Sequence, residues 1–161
     1  MDYPRAVPEH DSSPPAPVPE TIGPFRVDGV LGEGGSAVVY AVDFEGQEAA
    51  LKVPRERELT VKEQERFLEE AKMLQRVQHR AVVEVFDSGR LPDGQPYLLM
   101  RRYVGETLAD HLARSGPMPV RRALALFDQL AAAVDALHLA GLLHRDLKPE
   151  NVMLVGDDQI K

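Results

Sequence analysis

The sequence contains no cysteine, which excludes disulfide bonds and thiolate-ligated metal or redox sites. It also lacks a long apolar run. The closest approach, residues 123–140, is interrupted by Asp128, Gln129, Asp135 and His138, so no segment reads as a bilayer-spanning helix. The first twenty residues show no basic stretch followed by an apolar one, and no signal peptide is expected there. Positive charge is in deficit, with 19 Lys and Arg against 26 Asp and Glu and a net charge of −7. That balance argues against a nucleic-acid-binding surface, and no nucleic-acid partner is expected. The default compartment is the cytoplasm. With 43% hydrophobic and 28% charged residues, the 161-residue chain has the composition of one small globular domain or a piece of a larger one.

Six prolines lie within residues 1–22, at 4, 8, 14, 15, 17 and 19, with few apolar side chains between them. Proline removes amide donors and favours extended geometry, so this segment is expected to be a disordered, Pro-rich tail. From Phe25 onward short apolar runs alternate with glycine. Residues 25–31, 37–43 and 48–53 read as three antiparallel strands, with turns at 32–35 and 45–47. Thr60 with Glu63 forms a capping box, and Phe67, Ala71, Leu74 and Gln78 continue at helical spacing. Residues 81–86 and 97–104 read as two further strands, joined around Pro92-Asp-Gly94. Thr107 and Asp110 open a short helix that ends at Gly116; Pro119 opens a long one reaching Ala140. A polar loop, 143–151, and a small hairpin, 152–155 with 159–161, complete the chain. No internal repeat is visible.

Four groups of residues carry potential chemistry. Gly32-Glu-Gly-Gly-Ser36 sits between two expected strands, where glycines let backbone amides approach a phosphate; an ordinary hairpin turn is the competing reading. It is not a dinucleotide fingerprint, because a strand follows, and no Gly-Lys-Ser/Thr makes it a P-loop. In the strand Ala49-Ala-Leu-Lys-Val53, alternation puts Ala50 and Lys52 on one face, so Lys52 either faces the glycine turn or lies on a solvated surface. On the following helix, with residues about 100° apart, Glu70 falls between Leu74 and Val77 on the apolar face. A carboxylate turned toward a core is costly without a cation, which makes Lys52 its expected partner; the alternative is a Glu70 that reaches water from the edge of that face. Finally, His144-Arg-Asp-Leu-Lys-Pro-Glu-Asn151 supplies a carboxylate, an ammonium and an amide within six residues. That set suits proton acceptance, phosphate neutralisation and metal ligation.

In order and spacing, these four motifs make residues 25–161 resemble the eukaryotic-like protein kinases, and the compact glycine loop resembles the bacterial members. The resemblance implies an α+β, protein-kinase-like fold. It would comprise a complete N-lobe at about 23–104, built from a five-stranded antiparallel sheet and one helix, and only the start of a helical C-lobe at about 105–161. It implies ATP and Mg2+ as cofactors and protein substrates with Ser/Thr acceptors. Leu31, Gly32, Glu33, Gly34, Gly35, Ser36, Ala37 and Val39 match the loop over the ATP phosphates, with Ala37 replacing the third glycine. Lys52 matches the lysine that holds the α- and β-phosphates, and Glu70 the glutamate that fixes it. Leu31, Val39 and Ala50 would pack on adenine, Met100 would be the gatekeeper, and 101–103, ending in Tyr103, the hinge. Asp146 matches the catalytic base, Asn151 a magnesium ligand, and Lys148 the lysine typical of the serine/threonine branch. His144 and Leu74 resemble members of the internal hydrophobic column, and Arg145 marks the subgroup controlled through an activation loop.

The same resemblance places Asp-Phe-Gly, which carries another magnesium ligand, about three residues beyond Lys161. Residues 1–161 alone are therefore expected to be an inactive fragment of a kinase. The long helix, apolar on nearly all sides, is expected to need further packing partners. A nucleotide-binding pseudokinase or regulatory remnant is the alternative reading.

Overall fold

The computed structural model describes residues 18–55, 59–156 and 159–161, and the greater part of the Pro-rich tail lies outside this range. Strands β1 (Thr21–Ile22), β2 (Phe25–Glu33), β3 (Ala37–Phe44) and β4 (Gln47–Pro54) follow one another. Helix α1 (Val61–Leu74) leads to β5 (Val85–Arg90) and β6 (Pro96–Arg101). These six strands form one antiparallel sheet in the order β1-β2-β3-β4-β6-β5. The expected five strands are present, and β1 adds a two-residue edge from within the stretch read as tail, pairing Thr21 with Arg26 and Ile22 with Phe25.

Local chemistry explains the main turns. The β3–β4 connection is a two-residue hairpin with Glu45 at φ 54° and Gly46 at φ 79°, the doubly positive geometry that matches strand twist. Asp43 accepts the Gly46 N–H at 3.2 Å and helps hold it. Two register shifts, between Val27 and Gly29 and between Val30 and Gly32, interrupt the regular pairing of β2 with β3 on the approach to its glycine-rich end. Thr60 and Glu63 close the expected capping box on α1, with the Glu63 carboxylate accepting the Thr60 N–H at 2.7 Å.

Two strand boundaries differ from the sequence reading. Residues 81–84 are not strand: Ala81 and Val82 are buried against Leu126, Ala133 and Leu137 of a later helix, and the strand runs from Val85 to Arg90. The apolar run 81–86 thus feeds two different cores, which periodicity cannot separate. Likewise β6 ends at Arg101, and residues 102–104 leave the sheet.

A second sheet of three short strands, β7 (Glu106–Thr107), β8 (Met153–Val155) and β9 (Gln159–Ile160), lies beyond the connection. Helix α2 (Leu108–Ser115) is capped by Thr107 as expected, and α3 (Val120–Leu139) follows. Leu126, Ala133 and Leu137 of α3 pack with Leu154 and Ile160, while Leu124, Phe127 and Leu139 are exposed, at 59%, 66% and 84%. No helix among the described residues is long and apolar enough to cross a membrane.

Gly105 is required at the mouth of this second sheet, because a Cβ there would collide with the Leu154 carbonyl oxygen. Gly105→Ala is expected to cost about 1–3 kcal/mol, as overpacking against backbone typically does. Chemical denaturation of the two proteins measures it, and an unchanged midpoint would show that β7 and β8 separate freely.

Candidate active site

The sheet register decides which side chains share a face. Residues directly opposite one another across a ladder project to the same side, as do alternate residues along a strand. Val39 pairs with Gly32 and Lys52, Lys52 with Leu98, and Ala50 with Ala41 and Met100. Val39, Ala50, Lys52 and Met100 therefore lie on one face, beside the glycine-rich end of β2. The opposite face holds the dry core, where Leu51 and Leu99 are fully buried with Val42, Ala49 and Val53. Helix α1 covers the β5–β6 end of the first face, packing Phe67, Ala71 and Leu74 against Val85, Leu98 and Met100.

At that glycine-rich end, residues 31–36 are exposed. Gly34 donates its N–H to the Ala37 carbonyl at 2.9 Å, and Arg55 meets Glu33 at 3.5 Å. Neither Gly32 nor Gly35 has a neighbour within 4 Å of a built Cβ, and Gly34 has only the Ala37 oxygen at 3.7 Å. None of the three has a positive φ. Folding thus imposes no need for glycine at these positions, whereas an approaching ligand would.

The loop between α3 and β8 is built tightly. The Asp146 N–H donates to the His144 carbonyl at 2.7 Å across Arg145, which has φ 59°. This is a γ-turn of the positive-φ kind, strained for a residue with a Cβ and of a type that concentrates at functional sites. Pro149 opens a single 3₁₀ turn, Pro149–Asn151, which brings Asn151 back toward Asp146. The Asn151 Nδ2 donates to both the Asp146 carbonyl at 2.7 Å and its Oδ2 at 2.9 Å. Lys148 Nζ lies 3.1 Å from the same Oδ2. Asp146, Lys148 and Asn151 therefore converge as read from the sequence. The Lys148 ammonium, then the Asn151 amide, hold the Asp146 carboxyl below its usual range, so it is a carboxylate at neutral pH. With Nδ2 turned to Asp146, Asn151 has its Oδ1 available for a cation. Among the described residues no three His, Asp or Glu side chains form a metal-binding group.

Other expectations fare differently. Glu70 does not pair with Lys52. Its Oε1 lies 3.0 Å from Arg66 Nε, one turn earlier on α1, and 3.8 Å from Arg145 Nη1 of the loop. The reason is exposure: the Glu70 side chain is 47% accessible, so burial does not force it onto the sheet lysine. His144 is exposed rather than part of a hydrophobic column, whereas Leu74 does pack between the two cores. Tyr103 accepts the Glu84 N–H at 3.4 Å, and Lys161 Nζ stands 4.7 Å from its ring centre. The tie from the hinge to Lys161 was not foreseen, since no sequence pattern links residues 58 positions apart. Arg101 reaches Glu84 at 2.6 Å and stands over Phe86.

Comparison with known proteins gives the family of this chain. The chain belongs to the protein kinase domain family, whose pattern matches residues 25–161. It is similar to the serine/threonine-protein kinase PknH of Mycobacterium tuberculosis, 37% identical over 139 residues that cover 84% of this chain and 22% of that protein. The serine/threonine-protein kinase pkn2 of Myxococcus xanthus is 43% identical over 135 residues, covering 82% of this chain and 16% of that one. The crystal structure of the Mycobacterium tuberculosis PknI kinase domain superposes with a TM-score of 0.77 at 33% identity, covering 87% of this chain and 58% of that domain. The chain thus has the character of a bacterial, eukaryotic-like serine/threonine kinase, and it spans less than a quarter of these curated relatives.

Because folding does not require Gly34, Gly34→Ala is expected to leave the melting temperature within a degree or two while weakening nucleotide binding. Calorimetry and a fluorescent ATP-analogue titration on the same samples check the two halves. A destabilised protein with unchanged affinity would reverse the assignment.

Proposed function

We propose that the chain carries the nucleotide site and catalytic loop of an ATP-dependent serine/threonine protein kinase, which transfers the γ-phosphate of ATP to Ser or Thr hydroxyls of protein substrates in the cytoplasm, where ATP is supplied. The observation that carries this reading is the convergence of Lys148 Nζ and Asn151 Nδ2 on one oxygen of Asp146. In this reading Asp146 accepts the proton of the substrate hydroxyl as its oxygen bonds the γ-phosphorus and ADP departs. The lowered affinity of Asp146 for protons keeps it ready as an acceptor. Lys148 neutralises charge on the transferring group, and Lys52 holds the inner phosphates from the sheet face that also bears Val39 and Ala50. Leu31, Val39, Ala50 and Met100 are the apolar surroundings for adenine, with the hinge backbone ending at Tyr103 reading its edge.

Mg2+ suits the chemistry of the site. Asn151 Oδ1 would hold it, in keeping with a cation that takes few protein oxygens and completes its shell with phosphate and water. When bound, the ion offsets the negative charge of the phosphates. A single amide oxygen is a sparse protein contribution, so residues 1–161 alone are proposed to bind nucleotide weakly and to be inactive.

The open Lys52–Glu70 pair favours a second reading, a nucleotide-binding pseudokinase. Phosphate transfer separates the two. In the longer protein, radiolabel transfer from ATP to a generic protein substrate is expected, with a loss of about 10²- to 10⁴-fold in Asp146→Asn. Lys52→Met should abolish transfer as well. ATP binding without any Asp146-dependent transfer would favour the pseudokinase. Efficient transfer by purified residues 1–161 would contradict the proposed role of further metal ligands.

A further inference from the structure

The glycine-rich turn is restrained from its outer side as well as from within. Glu33 lies opposite Val38 across the β2–β3 ladder, and Val38 opposite Val53 of β4. These three therefore share the face that carries the dry core, away from Val39, Ala50 and Lys52. Arg55, two residues past Val53 and just beyond the end of β4, reaches the same side. Its guanidinium lies 3.5 Å from the Glu33 carboxylate, and its backbone N–H donates to the Ser36 carbonyl at 3.1 Å. One residue thus grips both arms of the turn, the β2 arm through its side chain and the β3 arm through its main chain. Tyr40, packed against the same core, feels the two charges together. Burial first, then Glu33, raise its phenol above the usual value, and Arg55 opposes them.

We propose that Arg55 is a positioning residue, an external staple that orders the glycine-rich turn for the phosphates of the nucleotide from the face opposite them. The proposal rests on the reading of this turn as a phosphate cradle. The turn's own restraint is light: residues 31–36 are exposed, Gly32, Gly34 and Gly35 are among them, and the Gly34 N–H crosses to the Ala37 carbonyl at 2.9 Å. Glycine has the most backbone freedom to lose, so ordering such a turn around a ligand is costly. A staple that limits this freedom beforehand lowers the cost that binding must meet. Because the Glu33 and Arg55 side chains are 61% and 45% exposed, the pair is screened and its effect is modest. The main-chain bond to Ser36 survives a change of side chain, so a variant at Arg55 releases the Glu33 arm alone.

A staple and a simple field differ in sign at Glu33. If the two side chains acted only through their charges, removing the carboxylate would tighten the binding of phosphates, whereas removing half of a staple weakens it. Titration of the full chain with a fluorescent ATP analogue and with the corresponding adenosine analogue reads the difference. Arg55→Gln and Glu33→Gln are each expected to weaken the ATP analogue about two- to five-fold, the scale of an exposed ion pair. The adenosine analogue, which brings no phosphate to the turn, should be bound as before. The two losses should not add in the double variant, and exchange of the pair, Glu33→Arg with Arg55→Glu, should restore most of the affinity. Tighter ATP-analogue binding in Glu33→Gln overturns the staple, as does unchanged binding in both single variants. Equal weakening of both ligands overturns it as well, since that marks a general structural role. If Lys52→Met leaves ATP-analogue binding intact, the nucleotide-site reading itself falls and takes the staple with it. A damaging Lys52→Met beside silent Arg55 and Glu33 variants removes the staple and leaves that reading standing.

Discussion

Strand β4 is hydrogen-bonded on both sides, by β3 and by β6, and it buries Ala49, Leu51 and Val53 on one face. Much of the molecule depends on this double pairing. Leu51 and Leu99 lie opposite each other and are fully excluded from water, so a one-residue slip would drive them out of the core and bring Ala50 and Lys52 in. The cost of burying an ammonium therefore protects the register. The orientation of Lys52 toward the glycine-rich end of β2 is a by-product of packing on the other side of the sheet.

The second functional cluster is held by different means. Nothing in the loop 143–151 beyond Leu142 is buried, and its shape comes from hydrogen bonds closed over short distances in sequence. The γ-turn at Arg145, the 3₁₀ turn begun by Pro149 and the two bonds from the Asn151 amide form one small cycle. Its anchorage is apolar and lies just outside: Leu142 and Val152, on either side of the loop, are buried with α3 and the second sheet. A rigid polar loop mounted on two buried residues places charged groups accurately while leaving them wet. Leu74, which packs against both the α1–sheet cluster and the α3 cluster, joins this mount to the sheet.

Legibility in the sequence follows the range of the interactions. The capping box, the β3–β4 hairpin, the helix caps at Thr107 and the Asp146–Lys148–Asn151 cluster were all readable, because each is made by residues a few positions apart. The face of Lys52 was readable as well, since strand alternation is rigid. Ala81 and Val82 were misread as strand because an apolar pair carries no mark of which core will receive it. The partner of Glu70 was misread for a related reason. The helical wheel placed it near the apolar face, but the choice between Lys52 and the guanidinium groups depends on exposure and on where the catalytic loop arrives.

The kinase character of this chain was therefore present in one dimension, as four motifs in order, because glycine, lysine, glutamate and the eight-residue loop each announce a chemistry by residue type. What their order could not convey is whether the parts are engaged. The catalytic loop is assembled, since its contacts are local and close on themselves. The Lys52–Glu70 pair is open, because it must join a strand to a helix in competition with Arg66 and Arg145, whose closeness to Glu70 exists only once the chain is folded.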